Sequence, residues 1–249
     1  MNTDTESIWK FISEDCLNDY SLIVASVAVG NVAQLTCDLI ISSIKMKKIA
    51  SVYSPAIIPV LGYDPYDLKS DSPSTSCEIY KSDMKKILVM QLRAPLINKY
   101  AREFLQETVK TFKARNVKEV IVLTSSYAHE KRHILTSPFR YLANNLCGHK
   151  DQAKSLNWQE HETSGGEMHI FGGGFALTVY NVCEEMSMPC LILYKYCSEG
   201  DNIPDAYDMI KYLNAVLPLF EQGCDLMSAL IQPVSWKLLF GRPPPQEIY

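Results

Sequence analysis

Apolar residues along the chain follow two spacings, and the alternation between them outlines the fold. The run "YSLIVASVAVGN" is continuously apolar, rich in β-branched residues, and closed by Gly30-Asn31. That pattern predicts a strand buried on both faces, as in a parallel sheet covered by helices. Next, "VAQLTCDLIISSI" places Val32, Leu35, Leu39 and Ile40 at helical spacing. "KIASVYS" predicts a second strand, and "CEIYKS" with "KKILVMQLR" predicts a strand pair joined by a short turn around Asp83. The clearest helix follows, with Ile97, Tyr100, Ala101, Phe104, Leu105, Thr108, Val109 and Phe112 in steps of three and four. "VKEVIVLTSS" returns as a strand, "EMHIF" as a short strand, "GFALTVYNVCEEM" as a helix and "PCLILYKYC" as a buried strand. The last long helix starts at Pro204, whose fixed φ suits the first helical position, with Asp205 and Asp208 in its first turn. Its stripe is Ala206, Met209, Ile210, Leu213, Leu217 and Phe220, and Pro218 bends or ends it.

Two stretches lack such a rhythm. Residues 55–76 are rich in Pro, Gly, Asp and Ser and predict an irregular excursion. Residues 127–165 are long and polar, with a short helix expected near "PFRYLANNL". Strands alternating with helices predict an α/β fold, a single-domain αβα sandwich around a mostly parallel sheet. With no internal repeat and no linker, residues 1–249 read as one domain, of which 242–249 form a Pro-rich exposed C-terminal tail.

Composition narrows the function classes. A chain with 47% apolar and 21% charged residues is globular rather than disordered. The 24 basic residues against 28 acidic ones are scattered, so the concentrated basic face that nucleic acid requires is missing. The longest apolar runs are strand-sized, and the polar, acidic N-terminus has no signal pattern, so no membrane partner is expected. The 8 cysteines form no Cys-x-x-Cys pair, and no Asn-x-Ser/Thr sequon occurs. A reducing compartment follows, the cytoplasm and nucleus.

Three stretches could carry chemistry. Gly172, Gly173 and Gly174 stand before a helix, where a phosphate could sit on free N–H groups; equally, they could serve a turn that needs positive φ and close packing. "SSYAHEKRH" offers Ser125, Ser126, His129 and His133 after a strand end, either as a nucleophile or metal pair or as a cap and a solvated charged segment. It has neither the G-x-S-x-G elbow nor the zincin spacing. In "SEGDNIPDA", Glu199, Asp201 and Asp205 could do acid–base work, or Asp201 and Asn202 could cap the following helix. Trp236 and Phe240 in "SWKLLFG" could pack on the core or feed an interface. No constellation rises to an enzyme. The rival reading, a nucleoside- or phosphate-handling enzyme, would use Gly172 to Gly174 with Ser125, Ser126 and Glu199.

Several of these stretches together resemble the proteasome assembly chaperone 2 family. They are "VAVGNVAQL" with "DLIIS", "QLR", "TSPFRYL", "KSLNW", the "GGG" turn, "SEGDNIPDA" and "SWKLLFG", in order from about residue 22 to 241. The resemblance implies a layered fold like that of purine nucleoside phosphorylases, with no catalytic residue, cofactor or metal. It implies a heterodimer with proteasome assembly chaperone 1, and binding to α-type subunits of the 20S proteasome, alpha-5 and alpha-7. Their ring would form on this dimer, without aberrant ring dimerisation. It also implies that the tail residues Glu247, Ile248 and Tyr249 dock between neighbouring α subunits, as activator tails do. Such tails carry a hydrophobic residue, a tyrosine and one final residue; here Tyr249 is itself last, one position short of that pattern. Pro243 to Pro245 favour an extended polyproline II stalk beneath it.

Overall fold

The computed structural model describes residues 7–12, 16–163, 168–221, 223 and 225–238. Ten strands and six helices follow in chain order: β1 (Ile8–Phe11), β2 (Ser21–Ala25), α1 (Val32–Ser43), β3 (Lys47–Tyr53), β4 (Leu61–Gly62), β5 (Ser74–Thr75), β6 (Cys77–Ser82), β7 (Ile87–Leu92), α2 (Asn98–Ala114), β8 (Glu119–Tyr127), β9 (Phe139–Ala143), α3 (Lys150–Ser155), α4 (Ala176–Glu185), β10 (Cys190–Cys197), α5 (Ile203–Val216) and α6 (Leu226–Ala229).

Eight strands form one sheet in the order β1-β3-β6-β7-β2-β8-β10-β9, and β4 pairs with β5 apart from it. At the centre β7, β2, β8 and β10 run parallel. Towards one edge β6, β3 and β1 join antiparallel in turn, and β9 closes the other edge antiparallel to β10. Strands β2, β3, β7, β8 and β10 therefore share one direction, and the sheet is mixed at its flanks.

Side chains alternate across this sheet, which explains the continuous apolar runs. Leu22, Val24, Val120 and Val122 face a cluster completed by Phe104, Leu105, Val109 and Phe112 of α2 and by Val179 and Val182 of α4. Ile23, Ala25, Ile121 and Leu123 face the opposite cluster with α1 and α5. The result is the αβα sandwich. Truncating a ring as deeply buried as Phe112 to alanine typically removes about 3–5 kcal/mol of stability. The seven described cysteines are unpaired, and six of them are buried.

Local departures have identifiable causes. "PFRYLANNL" is not helical: Phe139–Ala143 is strand β9, with Phe139, Tyr141 and Ala143 on one face and Leu142 on the other. A five-residue apolar run satisfies either period, and pairing with β10 decides. "EMHIF" forms no strand over its described residues, 168–171. There Ile170 and Phe171 offer their carbonyls to Gly173 N, Tyr127 N and Ser126 Oγ rather than to a ladder. The N-terminal segment contributes β1, whose alternation points Trp9 and Phe11 towards the core; Trp9 Nε1 donates to Glu107 Oε1 at 2.8 Å. Helix α5 stops at Val216, two residues before Pro218.

Candidate functional site

The C-terminal ends of the central parallel strands are where α/β proteins usually place chemistry. Here they meet the glycine turn at 172–174, and the turn is sealed. Ser26 Oγ donates to Gly173 O at 2.9 Å and accepts from Phe175 N at 3.1 Å. Thr124 Oγ1 donates to the same carbonyl at 2.9 Å, Ser126 Oγ donates to Phe171 O at 2.9 Å, and Ser125 Oγ donates to Val29 O. Gly174 has φ +60, and a Cβ there would lie 2.2 Å from Val27 O. Close backbone approach is what these glycines provide. The serine hydroxyls are spent on buried carbonyls and hold the turn against the sheet, so this cluster works as packing rather than as a phosphate cradle or a nucleophile.

The carboxylates beyond β10 are also committed. Asp205 Oδ1 and Asp208 Oδ2 each lie 2.7 Å from Lys195 Nζ. Asp201 Oδ1 accepts from Ile203 N at 3.1 Å. Asn202 caps nothing with its side chain; its Nδ2 donates to Ser198 O and to Asp205 Oδ2, both at 2.8 Å. Glu199 is exposed. His129 lies within a 3-10 turn at Ala128–Glu130 and His133 beyond it, with no α-helix to align the two. His129 stacks on Tyr127 and lies 3.7 Å from Glu130, while His133 lies 3.5 Å from Glu162. Among the described residues no group of three or more His, Cys, Asp or Glu is gathered as for a metal, and no helix is long and apolar enough to cross a membrane.

The excursion between β3 and β6 has the opposite character. Two buried polar networks fix it from beneath. Asp38 on α1 pairs with Arg93 at 2.9 Å, accepts from Gln91 Nε2 at 2.7 Å, and accepts from Tyr66 OH at 2.6 Å. Burial, with Asp38 alongside, pushes the Tyr66 phenol well up, so it stays a donor. Glu78, 1% exposed, receives Lys48, Ser74 Oγ at 3.0 Å, Thr75 N at 3.0 Å and Tyr80 OH at 2.7 Å. Buried charges are tolerated only when compensated in this way, and together these clamps hold the loop at its middle, through Tyr66, and at its C-terminal end, through Ser74 and Thr75.

Beside exposed Asp67, Lys69, Asp71 and Ser72, the clamped loop presents apolar side chains to solvent. Leu61 is 73% and Tyr63 90% exposed, with Ile58, Val60 and Leu68 also exposed. Beside them lies a groove of about 550 Å³ lined by Tyr53, Pro55, Ile57, Val60, Leu61 and Ile97. Apolar surface held in a fixed shape, rather than scattered singly, is the mark of a protein contact. Composition flagged this stretch only as irregular; the signal was Ile57, Ile58, Val60, Leu61, Tyr63 and Leu68 inside turn-rich sequence.

Trp236 sits in a 3-10 turn, Val234–Leu238, with its ring buried against the core face formed by α1 and α5. Its neighbour Ser235 donates its backbone N–H to Pro65 O at 3.2 Å, so the C-terminal segment is bound to the apolar excursion. Phe240 and the tail residues Glu247, Ile248 and Tyr249 lie outside the described residues.

Comparison with known proteins is decisive on kinship. The profile of the PAC2 family matches residues 22–229. The chain belongs to the PAC2 family. Within it, the chain is 33% identical to proteasome assembly chaperone 2 of Xenopus tropicalis, over 95% of this chain and 97% of that protein. It is 34% identical to proteasome assembly chaperone 2 of Homo sapiens, over 94% of this chain and 96% of that one. Pyrococcus furiosus PbaA, described as an archaeal homolog of proteasome-assembly chaperone, shares the fold with a TM-score of 0.70 at 15% identity, covering 89% of this chain and 91% of PbaA. The PAC2 fold is thus what the two-sided sheet builds, and relatives named as assembly chaperones match nearly its whole length.

Proposed function

We propose that this protein is a non-enzymatic chaperone of 20S proteasome assembly, working in the cytoplasm and nucleus as one half of a heterodimer with proteasome assembly chaperone 1. The dimer holds α-type subunits, alpha-5 and alpha-7 among them, while their ring forms, and it hinders rings from pairing wrongly. The observation that carries this reading is the near full-length kinship with proteasome assembly chaperone 2.

Physical features support a surface-based mode of action. Permanent partners bury the more hydrophobic interfaces, so the apolar platform around Leu61 and Tyr63 is assigned to the partner chaperone. The tail Glu247, Ile248 and Tyr249 is assigned to a pocket between α subunits, and Phe240 to an interface. Burying Ile248 and the Tyr249 ring contributes roughly 1.5–3 kcal/mol each, too little for tight binding alone. Glu247 stands 9 positions beyond Leu238, the end of the 3-10 turn, a reach of about 30 Å when extended. Tethering the tail close to a second contact raises its effective concentration.

Co-expression with proteasome assembly chaperone 1, followed by mass measurement of the intact complex, tests the proposal. A one-to-one complex that captures α subunits is the expected result; a chain that remains alone in the presence of both partners would overturn it. Deleting Glu247 to Tyr249 should leave the heterodimer intact and weaken α-ring capture.

A further inference from the structure

On the far side of the sealed turn, between β8, β9 and the segment after α3, lies a polar cavity of about 230 Å³. Two features of its wall call for a ligand. Arg140 on β9 is only 3% exposed, yet among the described residues no carboxylate stands within ion-pair distance of it. Its guanidinium meets only neutral oxygens: Nη1 donates to Ser137 O and Phe139 O, and Nη2 to Thr136 Oγ1 at 2.8 Å. The Tyr196 ring lies 5.6 Å from its Cζ. Arginine is rarely buried to this degree without a counter-charge.

The second feature is His161. Its ring is fixed by a 2.8 Å contact between Nδ1 and Tyr194 OH, while Nε2 is buried and has no hydrogen-bond partner. Arg132, exposed at the rim, adds a second guanidinium without an ion pair among the described residues. Two acids also line the cavity, Glu130 at 3.7 Å from His129 and Glu162 at 3.5 Å from His133, and each has a histidine as its neighbour.

We propose that this cavity binds a small phosphate-type oxyanion, free phosphate or a compact phosphate monoester, held by Arg140, Arg132 and Nε2 of His161. The anion supplies the missing counter-charge to Arg140. It also selects the tautomer in which His161 Nε2 carries the proton and Nδ1 accepts from Tyr194. Arg140, Arg132 and His161 line the same cavity, and guanidinium suits tetrahedral oxyanions with several acceptor oxygens. The cavity is separate from the platform assigned to the partner chaperone, so the two readings stand or fall independently.

Isothermal titration of the full-length chain with inorganic phosphate at low ionic strength tests the site. Saturable one-site binding is expected, with a dissociation constant in the millimolar range or below. Phosphate should raise the melting temperature to a plateau, whereas acetate at equal ionic strength should not. Arg132→Glu, on the exposed rim and away from the core, should weaken binding at least tenfold. His161→Gln should do the same, and in the wild type the His161 ring nitrogen resonances should shift on saturation. Non-saturable uptake, acetate binding as tightly as phosphate, or wild-type affinity in both variants would overturn the proposal.

Discussion

The strand-end turn and the apolar excursion use buried polar side chains for opposite ends. At the turn, Ser26, Thr124, Ser125 and Ser126 aim inward and bind the backbone of 171–174 and of Val29, leaving a sealed, rigid seam. At the excursion, Asp38 with Arg93 and Glu78 with Lys48 fix a loop whose Leu61, Tyr63 and Leu68 side chains are exposed. One region thus uses polarity to close the strand ends; the other uses it to hold a loop that exposes apolar side chains. The lesson is that a buried hydroxyl or carboxylate in this chain is understood from the segment it supports.

The sharpest way to break the contrast is Gly174→Ala. The new Cβ meets Val27 O at 2.2 Å with φ at +60, and both neighbours are backbone or tightly bonded. A loss of about 3–5 kcal/mol in urea unfolding is expected, since strain and clash add. A loss below about 1 kcal/mol would show that the seam yields and is not rigid.

Next comes Asp38→Ala, which leaves Arg93, Gln91 and Tyr66 without their shared acceptor. Arg93 is about a quarter exposed, so the cost falls short of a fully buried pair, about 2–3 kcal/mol. Limited proteolysis should now cut within residues 54–76 first. Cleavage that begins elsewhere would detach the clamp from the platform.

A third test uses the opposite end of the same strands. Glu119 accepts from Ser21 Oγ at 2.6 Å and lies 2.9 Å from His149 Nε2. The bond to Glu119 raises the His149 pKa above its ordinary 6.5 against the opposing effect of burial. Burial alone would raise the Glu119 pKa, but the bonds from His149 and Ser21 outweigh it and hold it at about 2 instead of 4.5. The histidine contribution is therefore complete below pH 6.5 and is lost as pH rises through its raised value. The glutamate contribution is complete above pH 4.5 and is lost as pH falls towards 2. A urea-midpoint profile should show both flanks, with an acid loss of about 3 kcal/mol. His149→Gln should flatten the alkaline flank; an unchanged flank would assign it to another group.

The smallest effect on stability, and the one that sharpens the comparison most, is Tyr63→Ser. With the ring almost wholly exposed, unfolding should shift by less than about 0.5 kcal/mol. Heterodimer affinity should nonetheless fall at least tenfold, read by analytical ultracentrifugation. Equal affinity would move the partner surface elsewhere.

Much of the layering was legible along the chain. The steps of three and four from Ile97 to Phe112 became α2, the apolar runs became β2, β8 and β10, and Pro204 stands in the first turn of α5. Phe139–Ala143 was misread because five residues cannot distinguish the two periods. β1 was missed although Ile8-Trp9-Lys10-Phe11 alternates, because its acidic surroundings masked it. The site was less legible. Gly172 to Gly174 stood out in the sequence, yet nothing there showed whether their surroundings were open or filled. Arg140 and His161 showed no local signal.

By itself, then, the order of residues determined which faces are apolar, where helices and strands alternate, and the family to which the chain belongs. Those properties depend on spacings of two to four positions. Tertiary structure alone decided which polar groups are spent and which remain available. Ser26 meets Gly173 across 147 positions and Asp38 meets Arg93 across 55, and a partner so distant along the chain leaves no trace in local pattern.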